Sequence, residues 1–285
     1  MKNKQLKRLK KKKPTLIKQS KKEVFETTYD GTFRHPFTML VTGPSGSGKS
    51  TFIKNLIKHS LEMIDQRLDY IFIFIGTSTV DNQSYIELQE YLDQNKSLIK
   101  RFEIFEVNSI YTSIESLKQK FSNHILETIK QNNKSGQKGL LIFDDLMEEL
   151  TKCNILVSLW TKHSSHLSVS VIYITQNITF KSGSKDSDMV TVFRNTKNIV
   201  VFRYKLDGTV VRNVSQKVGP GIKNRQLQDM INEICKRYRY CLIRGDLERS
   251  DDLQFSSDIF GLQQLFYPNT KQLIRYQLVF TPTFY

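Results

Sequence analysis

The chain has 285 residues and 39% hydrophobic content, enough for one large α/β domain or two small ones, which excludes a disordered protein. Its formal net charge of +15 is uneven: residues 1 to 22 hold 11 of the 43 Lys and Arg and no acid, leaving 32 basic against 28 acidic residues in the body. Apolar stretches such as Ile71 to Ile75 fall far short of the ~20 residues that cross a bilayer, and no apolar run follows the N-terminal charges as a secretory signal requires.

In chain order, the block Lys7, Arg8, Lys10, Lys11, Lys12, Lys13 repels itself and buries nothing, so residues 1–23 read as a disordered basic tail before a single domain over 24–285. The tail fits a solvated solubilising segment, a contact to a phosphate backbone or a nuclear-import address. From there, short β-branched or aromatic runs alternate with helical patterns, the signature of βαβ units around a parallel sheet. The first strand is expected at Phe37 to Thr42, followed by a glycine loop and a helix from Lys49 to Met63. Buried strands are expected at Tyr70 to Ile75, Phe102 to Val107, Leu140 to Phe143 and Val169 to Thr175, as near-continuous apolar runs covered on both faces. Helices are expected at Ser84 to Leu92, Ile114 to Gln131 and Ile155 to His163, and a surface loop at Ser182 to Ser187. A later strand pair, Ile199 to Tyr204 and Tyr238 to Arg244, flanks a helix at Gln226 to Arg237. The aromatic end, Tyr276 to Tyr285, reads as core packing, an edge strand or a docking segment.

Gly43, Pro44, Ser45, Gly46, Ser47, Gly48, Lys49, Ser50 matches G-x-x-x-x-G-K-[ST] between a strand and a helix, the setting a phosphate-binding loop needs. Glycines let the backbone curl so that successive N–H groups meet phosphate oxygens, and the helix N-terminus adds its positive dipole end. Lys49 is placed to reach the β- and γ-phosphates, Ser50 to put a hydroxyl on Mg²⁺, and Thr51 to extend the contact. The apolar strand ending in Asp144 and Asp145 supplies the second element: Asp144 to hold Mg²⁺ and Asp145 to orient and deprotonate a water. Adjacent carboxylates repel without a cation, which favours a metal site; capping of a following Leu146 to Leu150 helix is compatible with it.

The strand Val169 to Thr175 ends abruptly in Gln176 and Asn177, which would face the γ-phosphate as a sensor and a nucleotide contact. A GTPase is disfavoured because no N-K-x-D motif occurs; Asn195, Thr196, Lys197, Asn198 only scrambles it. His163 and His166, beside Lys162, fit a polar loop better than a DNA-facing role and lack partners at zinc spacing. Cys153, Cys235 and Cys241 form no CxxC pair, and their odd number points to a reducing, intracellular compartment.

Together these residues resemble the FtsK and HerA-like ATPases that package viral genomes in poxviruses and Polinton elements. The resemblance runs from about Arg34 to Gly261. It includes His35, Pro36 and Phe37; Ile142 to Leu146; Ser170 to Asn177; Val201 to Lys205; Gly219, Pro220, Gly221; Arg237 to Asp246; and Ser256 to Phe260. It implies a RecA-like (ASCE) P-loop NTPase fold, α/β with a mostly parallel sheet flanked by helices, in which an extra strand separates the two nucleotide-binding motifs. The implied activity is hydrolysis of ATP with Mg²⁺ to drive double-stranded DNA into a preformed capsid. The implied partners are capsid or portal components and further copies in a homo-oligomeric ring, often a hexamer, and the implied place is the host nucleus or cytoplasm where virions assemble, or the virion itself. By the same resemblance Lys49 and Ser50 take the nucleotide, Asp144 the metal, Asp145 activates water and Gln176 senses the γ-phosphate. Relatives usually carry, between the sensor strand and the next, an Arg that can act across a subunit boundary as a finger; this chain departs from them there, with Arg194 the first candidate and Arg203 the second. The alternatives are a DNA helicase or conjugation-type ATPase of the same superfamily, or a nucleotide-switched assembly scaffold, against which Asp145 argues.

Overall fold

The computed structural model describes residues 32–76, 83–107, 125–146, 155–176, 178, 188–204, 208–218, 224–245, 255–257, 259–260, 264–267 and 274–277. The basic tail, most of the helix expected at Ile114 to Gln131, Cys153, Asn177, the Ser182 to Ser187 loop, Gly219 to Gly221, Asp246 and residues 278–285 lie outside these.

Strands β1 (Thr38–Thr42), β2 (Tyr70–Gly76), β3 (Arg101–Val107), β4 (Gly139–Asp144), β5 (Val169–Thr175), β6 (Asn198–Phe202), β7 (Tyr240–Arg244), β8 (Phe255–Ser257), β9 (Gln264–Tyr267) and β10 (Ile274–Gln277) share one sheet. Their order is β10-β9-β8-β7-β6-β1-β5-β4-β2-β3. Neighbours from β3 through β6 are parallel, and those from β6 through β10 antiparallel. β5 therefore lies between β1 and β4, the arrangement the resemblance implied: Leu40 is level with Tyr173, and Phe143 with Tyr173 on the other side.

Alternation along each strand builds two cores. Met39, Val41, Ile71, Ile73, Ile75, Leu140, Ile142, Ile172 and Ile174 face α1 (Lys49–Lys58), α2 (Ser60–Met63) and α3 (Gln83–Gln94). Leu40, Phe72, Phe74, Leu141, Phe143, Val171 and Tyr173 face the other way. That second face takes α4 (Glu127–Lys134), α5 (Ile155–Ser158), α7 (Asp188–Arg194), α8 (Thr209–Val218) and α9 (Asn224–Tyr238). In α9 the buried Leu227, Met230, Ile231 and Ile234 follow the helical repeat. Each such side chain contributes roughly 1.5–3 kcal/mol by burial. Cys235 and Cys241 are free, buried thiols in this layer, and burial pushes the Cys235 thiol up to about 12.

Several expectations need correction. The helix expected through Met63 breaks at His59, whose backbone leaves helical geometry so that α2 can turn Met63 inward, where its carbonyl accepts from Phe33 N–H at 2.7 Å. The strand at Phe102 to Val107 is, among the described residues, an edge rather than a covered strand: β2 is its one partner there, and Arg101 and Glu106 are exposed. The helix expected at Ile155 to His163 is α5 followed by a π-helical turn (Leu159–His163) and α6 (Ser164–His166). β7 starts two residues late because α9 runs to Tyr238 and Arg239 makes the turn with φ 71°. Helices α7 and α8 and strands β8 and β9 were not anticipated; β10, outermost on its side among the described strands, overlaps at Tyr276 and Gln277 the start of the segment for which an edge strand was one reading.

At the N-terminal edge of the sheet, buried His35 joins the start of β1 to β5. Its Nδ1 lies 2.7 Å from Ser170 Oγ, its Nε2 lies 3.0 Å from Ser168 O, and its N–H donates to Asp65 Oδ1 at 2.7 Å. A neutral ring protonated on Nε2 satisfies all three. Burial lowers its pKa against the opposing pull of Ser168 and Asp65, with Lys138 adding to the lowering. The unfolded chain thus binds a proton near pH 6.5 that the native ring resists, so this site's stability is present above that pH and is lost as pH falls through it. Urea unfolding between pH 7.5 and 5.5 is expected to show a smaller loss of stability in a His35→Gln variant than in the native chain.

Candidate nucleotide and magnesium site

The glycine loop leaves the C-terminal end of β1, where open α/β sheets place their ligands. Gly43 N–H donates to Thr175 O at 3.3 Å, seating the loop against β5. A Cβ on Gly43 would fall 2.5 Å from Phe202 Cβ and 2.7 Å from Ser47 Oγ, so only glycine fits. Gly46 and Gly48 take positive φ of 70° and 103°, and α1 begins immediately afterwards. Ser45 through Thr51 line a cleft of about 410 Å³ together with Ser84, Asp144, Asp145, Ile174, Thr175 and Gln176.

Lys49 Nζ donates to Gly43 O at 2.8 Å and Pro44 O at 2.9 Å, so the ammonium lies curled inside the loop. Burial lowers its pKa, and the negative Asp144 and Asp145 oppose that shift. Both carbonyl bonds are exchangeable for stronger ones to phosphate, where the acceptor is charged as well as the donor. Ser47 Oγ is buried with no hydrogen-bond partner among the described residues. A left-handed glycine cradle, an inward ammonium and an unsatisfied hydroxyl together fit a polyphosphate.

Asp144 ends β4 at 4% exposure, and Tyr85 O–H donates to its Oδ2 at 2.6 Å. Burial raises its pKa to about 6; the bonds from Tyr85 and Ser50 and the charge of Lys49 pull it down, and Asp145 pushes it up. The carboxylate and the Ser50 hydroxyl are the oxygen donors a hard cation such as Mg²⁺ takes. A carboxyl raised in the native state is an ionised burden without a cation: the unfolded chain releases its proton first, and stability is lost as pH rises through about 4 to 6. Asp144→Asn is therefore expected to stabilise the nucleotide-free chain by roughly 2–3 kcal/mol at pH 7, read as a raised thermal midpoint, while abolishing magnesium-dependent nucleotide binding.

Asp145 follows with φ 56°, a left-handed conformation that Asp accepts better than most residues. Its N–H donates to Ile174 O at 3.4 Å, and its carbonyl would lie 3.1 Å from a Cβ at Gly76, so Gly76 makes room for the turn. The turn leaves Asp145 partly exposed on the cleft wall beside Asp144.

Gln176 is exposed on the cleft wall just past β5. The Tyr204 hydroxyl donates to its carbonyl at 2.5 Å and lies 2.8 Å from Thr42 Oγ1, tying the ends of β1, β5 and β6. Arg194 is not part of this cleft: it ends α7, before the start of β6, at the opposite end of the sheet. Its neighbours are anchored there, with Thr38 Oγ1 donating to Asn195 O at 3.1 Å and Lys217 Nζ to Thr196 O at 3.0 Å. Arg203 follows β6 at the loop end, next to the Phe202 ring that packs on Gly43. His163 and His166 belong to the π-helical turn and α6, and among the described residues no group of three or more His, Cys, Asp and Glu is arranged to hold a metal ion.

A family profile described as "Poxvirus A32 protein" matches residues 25–197. The chain belongs to this family. Among curated relatives of this A32-family chain, the DNA packaging protein OPG160 of Variola virus is 30% identical over 147 residues, covering 52% of this chain and 48% of the relative. The protein of the same name from Monkeypox virus is 29% identical, covering 52% and 43%. The chain spans about half the length of the curated relatives it matches. Among solved structures, the genome packaging NTPase B204 of Sulfolobus turreted icosahedral virus 2, in complex with ATP-gammaS, aligns over 75% of this chain and 94% of that one, at TM-score 0.47 and 14% identity. EssC (ATPases 2 and 3) from Geobacillus thermodenitrificans aligns over 89% and 40%, at TM-score 0.40 and 15% identity.

The A32-family cleft also contains residues that the motifs did not point to, namely Ser84 on its wall, Tyr85 on Asp144 and Tyr204 under Gln176. Tyr85 reads as core because it starts the buried stripe Tyr85, Leu88, Leu92 of α3. A phenol buried at a helix start, facing strand C-terminal ends, needs a polar partner, and that was the available signal.

Proposed function

We propose that this chain is an ATP-hydrolysing motor that moves double-stranded DNA into a viral capsid. The observation that carries the reading is the convergence of Lys49, Ser50, Asp144, Asp145 and Gln176 on one cleft at the sheet's C-terminal end. The names of the OPG160 relatives, DNA packaging proteins, support the choice of substrate.

In this reading residues Gly43 to Thr51 cradle the phosphates, and Lys49 trades its loop carbonyls for β- and γ-phosphate oxygens. Ser50 and Asp144 hold Mg²⁺, which when bound neutralises charge on the phosphates. Asp145 takes the proton of the attacking water and Gln176 senses the γ-phosphate; Asn177, outside the described residues, adds a nucleotide contact. Arg194 acts as a finger on the next subunit of a ring, by resemblance a hexamer. Its support is mechanical, since Arg194 is exposed while Asn195 and Thr196, which follow it, are anchored. The basic segment 1–23 would precede the ATPase domain 24–285, with capsid or portal components as further partners at sites of virion assembly. No helix of the described residues is long and apolar enough to cross a membrane.

The test is ATP turnover by purified protein with and without duplex DNA across a salt series. Stimulation by DNA that declines with salt is expected; turnover indifferent to DNA at every salt concentration refutes the motor.

A further inference from the structure

We propose that Tyr85 is a positioning residue that sets the Asp144 carboxylate for magnesium, and that α3 is thereby part of the metal site. The inference rests on the reading of Asp144 as the magnesium carboxylate.

Tyr85 is 2% exposed, its ring is packed in the core between α3 and the sheet, and its hydroxyl donates to Asp144 Oδ2 at 2.6 Å. The Tyr85 bond to Oδ2 restrains rotation of the carboxylate from its core side, while the Ser50 hydroxyl, from the cleft, bonds both Tyr85 and the carboxylate. Donors behind a metal-binding side chain orient it in this way, and their loss costs metal affinity even though they never touch the ion. The phenol suits the task because it is neutral: it holds the oxygen without cancelling the negative charge that a cation needs, as a lysine would.

The helix that carries Tyr85 is held to the helix that carries Ser50. Lys54 of α1 pairs with Glu87 of α3, and Lys58 Nζ of α1 sits 4.6 Å from the centroid of the Tyr91 ring of α3. Ser84, the residue before Tyr85, lines the cleft. α1, α3 and β4 thus present Ser50, Tyr85 and Asp144 as one braced set, in which the Ser50 hydroxyl also bonds the carboxylate.

The experiment measures the affinity of a fluorescent ATP analogue for the full chain, in Mg²⁺ and in EDTA, for the native protein and for Tyr85→Phe and Asp144→Asn. Tyr85→Phe is expected to reduce the magnesium enhancement of affinity about tenfold, to raise the Mg²⁺ concentration needed for half-maximal binding, and to leave affinity in EDTA unchanged. Asp144→Asn is expected to abolish the enhancement, and adding Tyr85→Phe to it to change nothing further. An equal loss of affinity in Mg²⁺ and EDTA makes Tyr85 a packing residue and overturns the proposal, as does an unchanged enhancement in Tyr85→Phe while Asp144→Asn loses it. An enhancement that survives Asp144→Asn overturns the reading of Asp144 itself, and the role of Tyr85 falls with it.

Discussion

Asp145→Asn is expected to lower ATP turnover about 10³-fold while leaving nucleotide affinity within a factor of about two. A positioned base contributes on the order of 10² to 10⁴ in rate, and Asn keeps the shape of Asp but cannot take a proton. The substitution is also benign to the backbone, because Asn tolerates the left-handed conformation at φ 56° as well as Asp does. Asp145→Ala lacks that tolerance and adds a folding cost of roughly 1–2 kcal/mol, which makes Asn the cleaner variant. Single-turnover hydrolysis alongside equilibrium binding separates the two quantities. Turnover within threefold of the native chain would leave Asp145 as a turn residue beside the metal carboxylate and return the base to an unassigned group.

Lys49→Ala is expected to reduce turnover by about 10² to 10³-fold and to weaken triphosphate binding more than diphosphate binding, because in the proposed reading the ammonium exchanges its loop carbonyls for the β- and γ-phosphates. The fold should survive. In the nucleotide-free chain this ammonium is held at the cost of burial, and its two partners are the carbonyls of Gly43 and Pro44 in its own loop. Thermal unfolding of the variant should match the native midpoint within a few degrees, so a catalytic loss can be read as chemistry. Lys49→Arg is expected to fail almost as badly, since a broad planar fork does not fit a cradle shaped around a compact point charge.

The parallel core was legible where its strands are near-continuous apolar runs: Val169–Thr175 is buried at every position, and its expected bounds match the structure. The glycine loop and Asp144 with Asp145 were legible for a related reason, that phosphate and metal chemistry restrict residue types at short spacing. Helix α8 was not, because Thr209, Val210, Val211 and Val214 are β-branched and locally favour a strand, while burial of Val210, Val211 and Val214 against the sheet holds them in a helix. β3 misled in the opposite direction: Phe102, Ile104 and Phe105 read as a covered strand, yet they are half exposed, with no second strand neighbour among the described residues. Tyr85 and Tyr204 were hidden because their contacts with Asp144 and Gln176 join residues 59 and 28 positions apart, a distance no local pattern reports.

The charged rim of β3 bears on how copies of the chain can meet. An open strand edge is a template for another strand, and proteins crowded at high local concentration risk zippering sheet to sheet into fibres. Here Arg101 and Glu106 are exposed along that edge, Arg101 pairs with Glu103, and the Arg101 guanidinium covers the Phe72 ring at 5.1 Å from its centroid. A second strand laid against β3 would have to strip water from those charges. Among the described residues, the charges of β3 thus disfavour continuous backbone pairing with another strand along this edge.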